Sequence, residues 1–487
     1  MTAKVDKILY LYHPIQPIKP NAMFSRETYI ERRARLVADM KYHGEKGLLL
    51  FLGNDESGMN YKDNTYPFRQ DSTFLYFFGL DFPGLGALLD IDEGISTVFG
   101  DELTIDDIVW MGSQPTLRER CDKAGVDRTE PAARLKEQVQ RAMNRGRMVH
   151  FLPAYRPEHT LRIFDLTGLP GPAQTEQASI PFVKSVVNMR NHKSPAEIDQ
   201  IEEAVDISVE MHQAMMRMVR PGISEAEVAS AVTEIALRKG AGLSFPVIAT
   251  VNGQTLHNHY HGNILQEGDL FLLDAGAESS LHYAGDLSST APVSKRFTEQ
   301  QKMIYDMALH AHTVAVDALR PGIAFREIHL KVAETIAADL KSIGLVTGDP
   351  AEVASEGAYA MFFPCGLGHM MGLDVHDMEN LGEVWVGYDG HPKSATFGFK
   401  SLRLARPLEP GFVLTIEPGI YFIPELIDLW KSQGKFKDFL NYDEIEKFKG
   451  FGGLRNEEDY LITPDGKRRL GHLYKPMTAE EVEAMKQ

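Results

Sequence analysis

The stretch Gly268-Asp-Leu-Phe-Leu-Leu-Asp-Ala-Gly-Ala-Glu-Ser-Ser-Leu-His-Tyr-Ala-Gly-Asp286 decides how the C-terminal half of this chain is read. Its first part is a short apolar run that ends in Asp274, and its second part returns from His282 to Asp286. Short apolar runs bounded by Gly and polar residues are strand signals, and the polar Ser279-Ser280 between the two parts supplies a turn. A hairpin with one acidic residue on each arm is expected. A carboxylate at the end of a buried strand needs a partner, because an unpaired charge beside apolar surface is costly.

Two more strands carry acids. Gly411-Phe-Val-Leu-Thr-Ile-Glu417 is closed by Pro418-Gly419, and Leu454 to Thr463 reads as a final strand that contains Glu457. His369 lies in Cys365-Gly-Leu-Gly-His-Met-Met-Gly372, where missing side chains permit close approach to a crowded centre. Helices separate these strands. Ser194-Pro-Ala-Glu197 is a capping box with Pro195 at the first helical position, and its helix should stop near Pro221-Gly222. Ser224 to Glu227 starts the next helix. The order helix, Pro-Gly, helix recurs from Glu299 to Leu319, through Pro321-Gly322, and on from Phe325 to Leu340, which suggests a duplicated scaffold.

A chain of 487 residues exceeds the size at which one core keeps growing, so two domains are expected. Glu27 to His43 is helix-like, while Leu48 to Leu52, Thr73 to Phe78 and Ala87 to Ile91 read as short strands of an N-terminal α/β domain. Gly168, Pro170, Gly171 and Pro172 mark a linker within Thr167 to Gln177, which divides the chain into residues 1–180 and 181–487. With 68 acidic and 51 basic residues the formal charge is -17, which disfavours nucleic acid and anionic membranes as partners. Cys121 and Cys365 make no disulfide framework. The first thirty residues mix Lys4, Lys7, Lys19 and Arg26 with prolines, and no apolar run reaches membrane-spanning length. A soluble, cytoplasmic protein is the expectation.

A two-metal hydrolase needs anionic oxygen ligands from several elements, a bridging carboxylate and an open position for water. Asp274, Asp286, His369, Glu417 and Glu457 are candidates for such a set. Their four carboxylates supply four negative charges against the four positive charges of two divalent ions. Spacing alone does not identify the centre.

The motifs do. Leu273-Asp-Ala-Gly-Ala277, Tyr283-Ala-Gly-Asp286, Gly366-Leu-Gly-His369 through Gly372-Leu-Asp-Val-His-Asp377, Leu414-Thr-Ile-Glu-Pro-Gly-Ile-Tyr421 and Gly453-Leu-Arg-Asn-Glu457 resemble those of the pita-bread metallopeptidases, in their aminopeptidase P and prolidase branch. Tyr66-Pro-Phe-Arg-Gln-Asp-Ser72 resembles that branch's non-catalytic domain, so the likeness spans nearly the whole chain. The resemblance implies an α/β N-terminal domain followed by an α+β pita-bread catalytic domain. It implies cleavage of the bond before proline in small peptides with proline at the second position, by an aminopeptidase or a dipeptidase. It implies that Asp274 binds one ion, that Asp286 and Glu457 bridge both, and that His369 and Glu417 complete the other shell. Mn(II) is the usual ion of the family; Zn(II) and Co(II) also suit the ligands. Glu417 would shuttle the proton, His376 would steady the substrate or tetrahedral intermediate, and Arg403 would meet a substrate carboxylate. A homodimer or homotetramer is implied as well.

Three departures bear on this. Cys365 stands where the family usually has a histidine that contacts substrate, so a catalytically weakened pita-bread binding protein is a further reading. Asp274 and Asp286 are 12 positions apart, one more than is usual. In an unbroken strand one extra residue reverses side-chain direction, so it is expected in the turn from Glu278 to Leu281, or else in a bulge. Upstream, either His257 or His259 fits the substrate-proximal histidine. Asn456, if it faces the core, needs hydrogen-bond partners.

Overall fold

Leu48–Leu52 is apolar at every position because it is buried on both faces. Leu49 and Phe51 pack into the main core, whereas Leu48 and Leu50 point the other way, into a second cluster with Leu88, Phe99, Val139 and Ile163. In this computed structural model, which describes residues 23–486, the strand belongs to a five-stranded sheet. Lys4, Lys7 and Lys19 lie outside the described residues. The strand order is Arg128–Glu130, Ser96–Phe99, Gly86–Asp90, Leu48–Leu52, Val149–His150, antiparallel at the centre and parallel at both edges. Helix Arg26–Tyr42 is where the sequence puts it, capped by the Ser25 side chain.

The expectation of a strand at Thr73 to Phe78 is wrong: Ser72–Phe78 is a helix. Asp71 caps its start by accepting from the Phe74 amide, and Gly79 at φ 62° closes it. All seven residues are buried, so the helix shows no 3.6-residue pattern and looks like an apolar strand. The stretch from Thr167 to Gln177 is also more ordered than a linker. Pro157–Thr167 and Gly171–Gln177 are helices that meet at Gly168, and Ile180–Asn191 follows as a third.

The C-terminal half repeats itself in detail. Helices Pro195–Met218 and Glu225–Lys239 form one pair, Glu299–Ala318 and Phe325–Ser342 the other. Between each pair sits a glycine at positive φ whose amide donates to a remote carbonyl, Gly222 to Leu265 and Gly322 to Leu408. Isolated bridges follow at Ser224 with Ile264 and at Ala324 with Pro407. Each pair is matched by a three-stranded sheet. One has the order Ser288–Pro292, Leu270–Asp274, Ile248–Thr250; the other has Val413–Ile416, Glu458–Thr463, Gly466–Arg469. The arrangement is the duplicated scaffold that the two Pro-Gly breaks suggested.

The segment Leu454 to Thr463, expected as one strand, is two. Gly453–Arg455 pairs with Gly419–Tyr421, and Glu458–Thr463 pairs with Val413–Ile416. Both chains break at the same level: Glu417-Pro418 interrupts one and Asn456-Glu457 the other. Pro418 has no amide to donate there. The two glutamates thus sit opposite each other where the ladder changes sheets.

Candidate metal centre

The hairpin resolves the question of the extra residue. Asp274 pairs with Ser288 in a ladder whose register stays constant back to the turn, where the amide of Ser279 donates to the carbonyl of Tyr283 at 2.8 Å. Ser280, Leu281 and His282 make a three-residue connection, with His282 in the left-handed region at φ 66°. The extra residue is absorbed there. Ser288 faces the same way as its partner Asp274, and Asp286 lies two residues from Ser288, so both carboxylates project from one face.

That face opens on a cavity of about 230 Å³. Its lining includes all five ligand candidates together with His257, His259, Cys365, His376 and Arg403. Asp286, His369 and Glu457 each place a ligand atom within 4.8 Å of the others. His369 Nε2 lies 3.3 Å from Asp286 Oδ2 and 3.5 Å from Glu417 Oε1. Its Nδ1 is 3.1 Å from the carbonyl of Met370; donating there fixes the tautomer and leaves the Nε2 lone pair for a cation. Asp286 Oδ1 is buried without a hydrogen-bond partner among the described residues, and Ser288 Oγ donates to Glu457 Oε2 at 2.7 Å. These donors fit a divalent ion.

Electrostatics point the same way. Burial, then the neighbouring Asp274, pushes the Asp286 carboxyl well above its usual range. Burial and the charges of Asp286, Glu417 and Asp274 do the same to Glu457, and burial raises Glu417. His369 is lowered by burial. Carboxyls crowded together out of water favour protonation unless a cation joins them.

Arg455 is a cation already present, and the sequence reading gave it no role. It is 4% exposed and forms an ion pair with Asp274, while donating to Ser288 Oγ at 2.9 Å and to Tyr421 Oη at 2.8 Å. The one signal was an arginine inside a strand motif, beside the candidate Glu457. Asp274 therefore stands slightly apart from the Asp286, His369 and Glu457 cluster, held by Arg455. The glycine-rich run behaves as expected: a Cβ on Gly368 would lie 2.0 Å from the carbonyl oxygen of Thr415, the strand that leads to Glu417.

On the rim, His376 stacks edge-on against His369 with ring centroids 4.2 Å apart, and its Nδ1 meets Glu379 at 2.6 Å. That bond, assisted by Arg403, holds Glu379 down to about 2. Arg403 Nε is 3.4 Å from Glu379 and 3.6 Å from Glu383. His257 is lowered by burial and then by the positive charge of Arg455. The Cys365 thiol is pushed up to about 12 by burial and the Glu417 charge, so it is neutral at physiological pH. Asn456 is buried; its Oδ1 accepts from Tyr305 at 3.4 Å, and its Nδ2 has no partner among the described residues.

Known proteins share this architecture. Residues 199–464 match Metallopeptidase family M24, and residues 29–150 match the aminopeptidase P N-terminal domain. The Xaa-Pro dipeptidase of Rattus norvegicus is 30% identical over 495 positions, covering 96% of this chain and 96% of that protein. The Xaa-Pro aminopeptidase of Escherichia coli K12 is 30% identical over 480 positions, covering 95% and 98%. Zinc-substituted E. coli aminopeptidase P in complex with product superposes with a TM-score of 0.78 at 28% identity, covering 95% of this chain and 98% of the other. Proline aminopeptidase P II from Yersinia pestis gives 0.77 at 27% identity, with 95% and 99% covered. With the matched region taking in all five ligand candidates and more than half of the chain, the protein belongs to metallopeptidase family M24.

Proposed function

We propose that the chain hydrolyses the peptide bond preceding proline at a peptide N-terminus, using two divalent ions, Mn(II) foremost, held by Asp274, Asp286, His369, Glu417 and Glu457. The observation that carries this reading is the convergence of Asp286, His369 and Glu457 in one cavity, with Asp286 Oδ1 left without a partner among the described residues. The names of the similar proteins, which specify Xaa-Pro bonds, support the substrate class.

Bound divalent ions supply a water acidic enough to lose its proton near neutral pH and a pull on the scissile carbonyl. The chain's own side chains do the rest. Glu417, beside His369 and raised by burial, takes a proton and returns it to the leaving proline nitrogen. Glu379 orients the His376 ring through Nδ1, so Nε2 is the atom left to meet the substrate or tetrahedral intermediate. Arg455 holds Asp274 in place. His257 is our assignment for the substrate-proximal histidine, because it senses the charges of Arg455, Asp274, Arg403 and His376. We place the division between the two domains near residue 180.

A second reading, Xaa-Pro dipeptidase, is favoured by Arg403: a guanidinium in the cavity wall, held by contacts of 3.4 and 3.6 Å, suits the carboxylate of a short substrate. Incubating Mn(II)-loaded protein with Gly-Pro, Ala-Pro and Xaa-Pro-Yaa tripeptides separates the two. Dipeptide cleavage with little tripeptide turnover selects the dipeptidase, and the reverse selects the aminopeptidase. No hydrolysis at full metal occupancy would refute both and leave a metal-binding protein in which Cys365 has displaced a substrate contact.

A further inference from the structure

The turn that absorbs the extra hairpin residue is also where the two halves of the molecule meet. His282 occupies its left-handed position, a conformation that non-glycine residues rarely adopt. Both ring nitrogens face carboxylates. Nδ1 lies against Glu278 on the same hairpin, and Nε2 is 2.8 Å from Asp81, which follows helix Ser72–Phe78 in the N-terminal part. Ionised carboxylates only accept hydrogen bonds, so satisfying both contacts requires a proton on each nitrogen, that is, an imidazolium.

The same turn is tied to the loop that carries His376. Arg69, from the N-terminal part, donates to Glu278 at 3.0 Å, to the carbonyl of Leu373 at 2.8 Å and to that of His282 at 3.4 Å. The amide of Ala284 donates to the carbonyl of Gly372 at 2.8 Å. Ser72 Oγ reaches Asp374 at 2.5 Å. The charged groups facing His282 are Glu278 from its own hairpin, and Asp81 and Arg69 from the N-terminal part. Arg32, Tyr29, Tyr76 and Tyr283 stand across a small void of about 30 Å³. With neutral His282, the trio Asp81, Glu278 and Arg69 carries one net negative charge; with the imidazolium it is balanced.

We propose that His282, held as an imidazolium between Asp81 and Glu278, is a positioning residue that fastens the metal-site hairpin and the His376 loop to the N-terminal domain, and that loss of its proton loosens them. Burial opposes the charge, but the hydrogen bonds to Asp81 and Glu278 outweigh it, so the group titrates above its ordinary value near 6.5. The bridge is therefore complete below that ordinary value and is lost as pH rises through the raised one. The catalytic consequence rests on the proposed peptidase function; the fastening does not.

Asp81→Asn and His282→Asn test it. Asp81 is exposed, and asparagine tolerates the left-handed turn, so both variants should fold. Hydrogen exchange needs no turnover: peptides covering residues 276–286 and 370–378 should exchange faster in both variants than in the parent at pH 6.5. At saturating Mn(II), kcat on an Xaa-Pro-Yaa peptide should fall about tenfold in His282→Asn, with KM little changed. The parent should lose kcat as pH rises through the His282 titration, Asp81→Asn should lose it at lower pH, and His282→Asn should lack that limb. Parent-like exchange and parent-like pH profiles in both variants would overturn the proposal. If the parent hydrolyses nothing, the peptidase reading fails, while the exchange comparison still decides the fastening.

Discussion

Metal binding to this site should release protons, because the acids that crowd it are held above their ordinary range. Asp286 and Glu457 lie well above the usual carboxylate range and Glu417 lies above it, with burial the largest cause in each case. Arg455 is a buried cation among them and is already engaged with Asp274. The metal-free cluster therefore holds on to its protons to higher pH than separate carboxyls would, shared among the three acids as coupled sites share them. A divalent ion must displace them, so affinity should rise with pH by about tenfold per unit for each proton displaced, or about 1.4 kcal/mol. Calorimetric titration of Mn(II) in two buffers of different ionisation enthalpy counts those protons directly. Asp286→Asn removes one titrating group and should lower both the count and the pH slope by about one. Linkage also fixes the behaviour of the metal-free protein. Its folded-state values exceed the unfolded value of about 4, so stability is lost as pH rises from there through the raised values, and Mn(II) restores it. Affinity independent of pH, with no protons released in either buffer, would refute the reasoning.

Other substitutions probe the site from different sides. Arg455→Met strands Asp274 in a buried setting and should cost about 3–5 kcal/mol of metal-free stability, seen as a lower thermal midpoint; saturating Mn(II) should narrow the gap. An equal loss with and without metal would mean that Asp274 does not face the ions. Arg403→Lys should raise KM for Ala-Pro more than for an Xaa-Pro-Yaa tripeptide, since a lysine cannot make the bidentate contact with a terminal carboxylate; equal effects would remove the support for the dipeptidase reading. Cys365→His tests the main departure in the cavity wall. If the cysteine limits turnover, kcat/KM on proline peptides should increase, whereas unchanged kinetics would show that the neutral thiol is no handicap.

The helices of the catalytic half were legible because their signals are local. Ser194 with Glu197, Ser224 with Glu227 and the two Pro-Gly breaks need only neighbouring residues to act, and each is where it was expected. The hairpin was legible too, down to the placement of its extra residue in the turn. What failed depended on distant partners. Ser72–Phe78 is buried on every side, so no periodicity distinguishes it from a strand. Leu454 to Thr463 splits because its two ends pair with different strands, a fact that belongs to Val413–Ile416 and Gly419–Tyr421 rather than to the segment itself. The ligand candidates come from four separate stretches, and their convergence was readable only through family motifs. Arg455 was missed because the sequence alone does not reveal that an arginine between two strands is buried against Asp274.

The most direct test is anomalous diffraction at the manganese edge from crystals of the Mn(II)-loaded protein. Two peaks are expected in the cavity, one of them contacting Asp286, His369 and Glu457 together. Full peptidase activity in crystals whose cavity shows no manganese peak would contradict it.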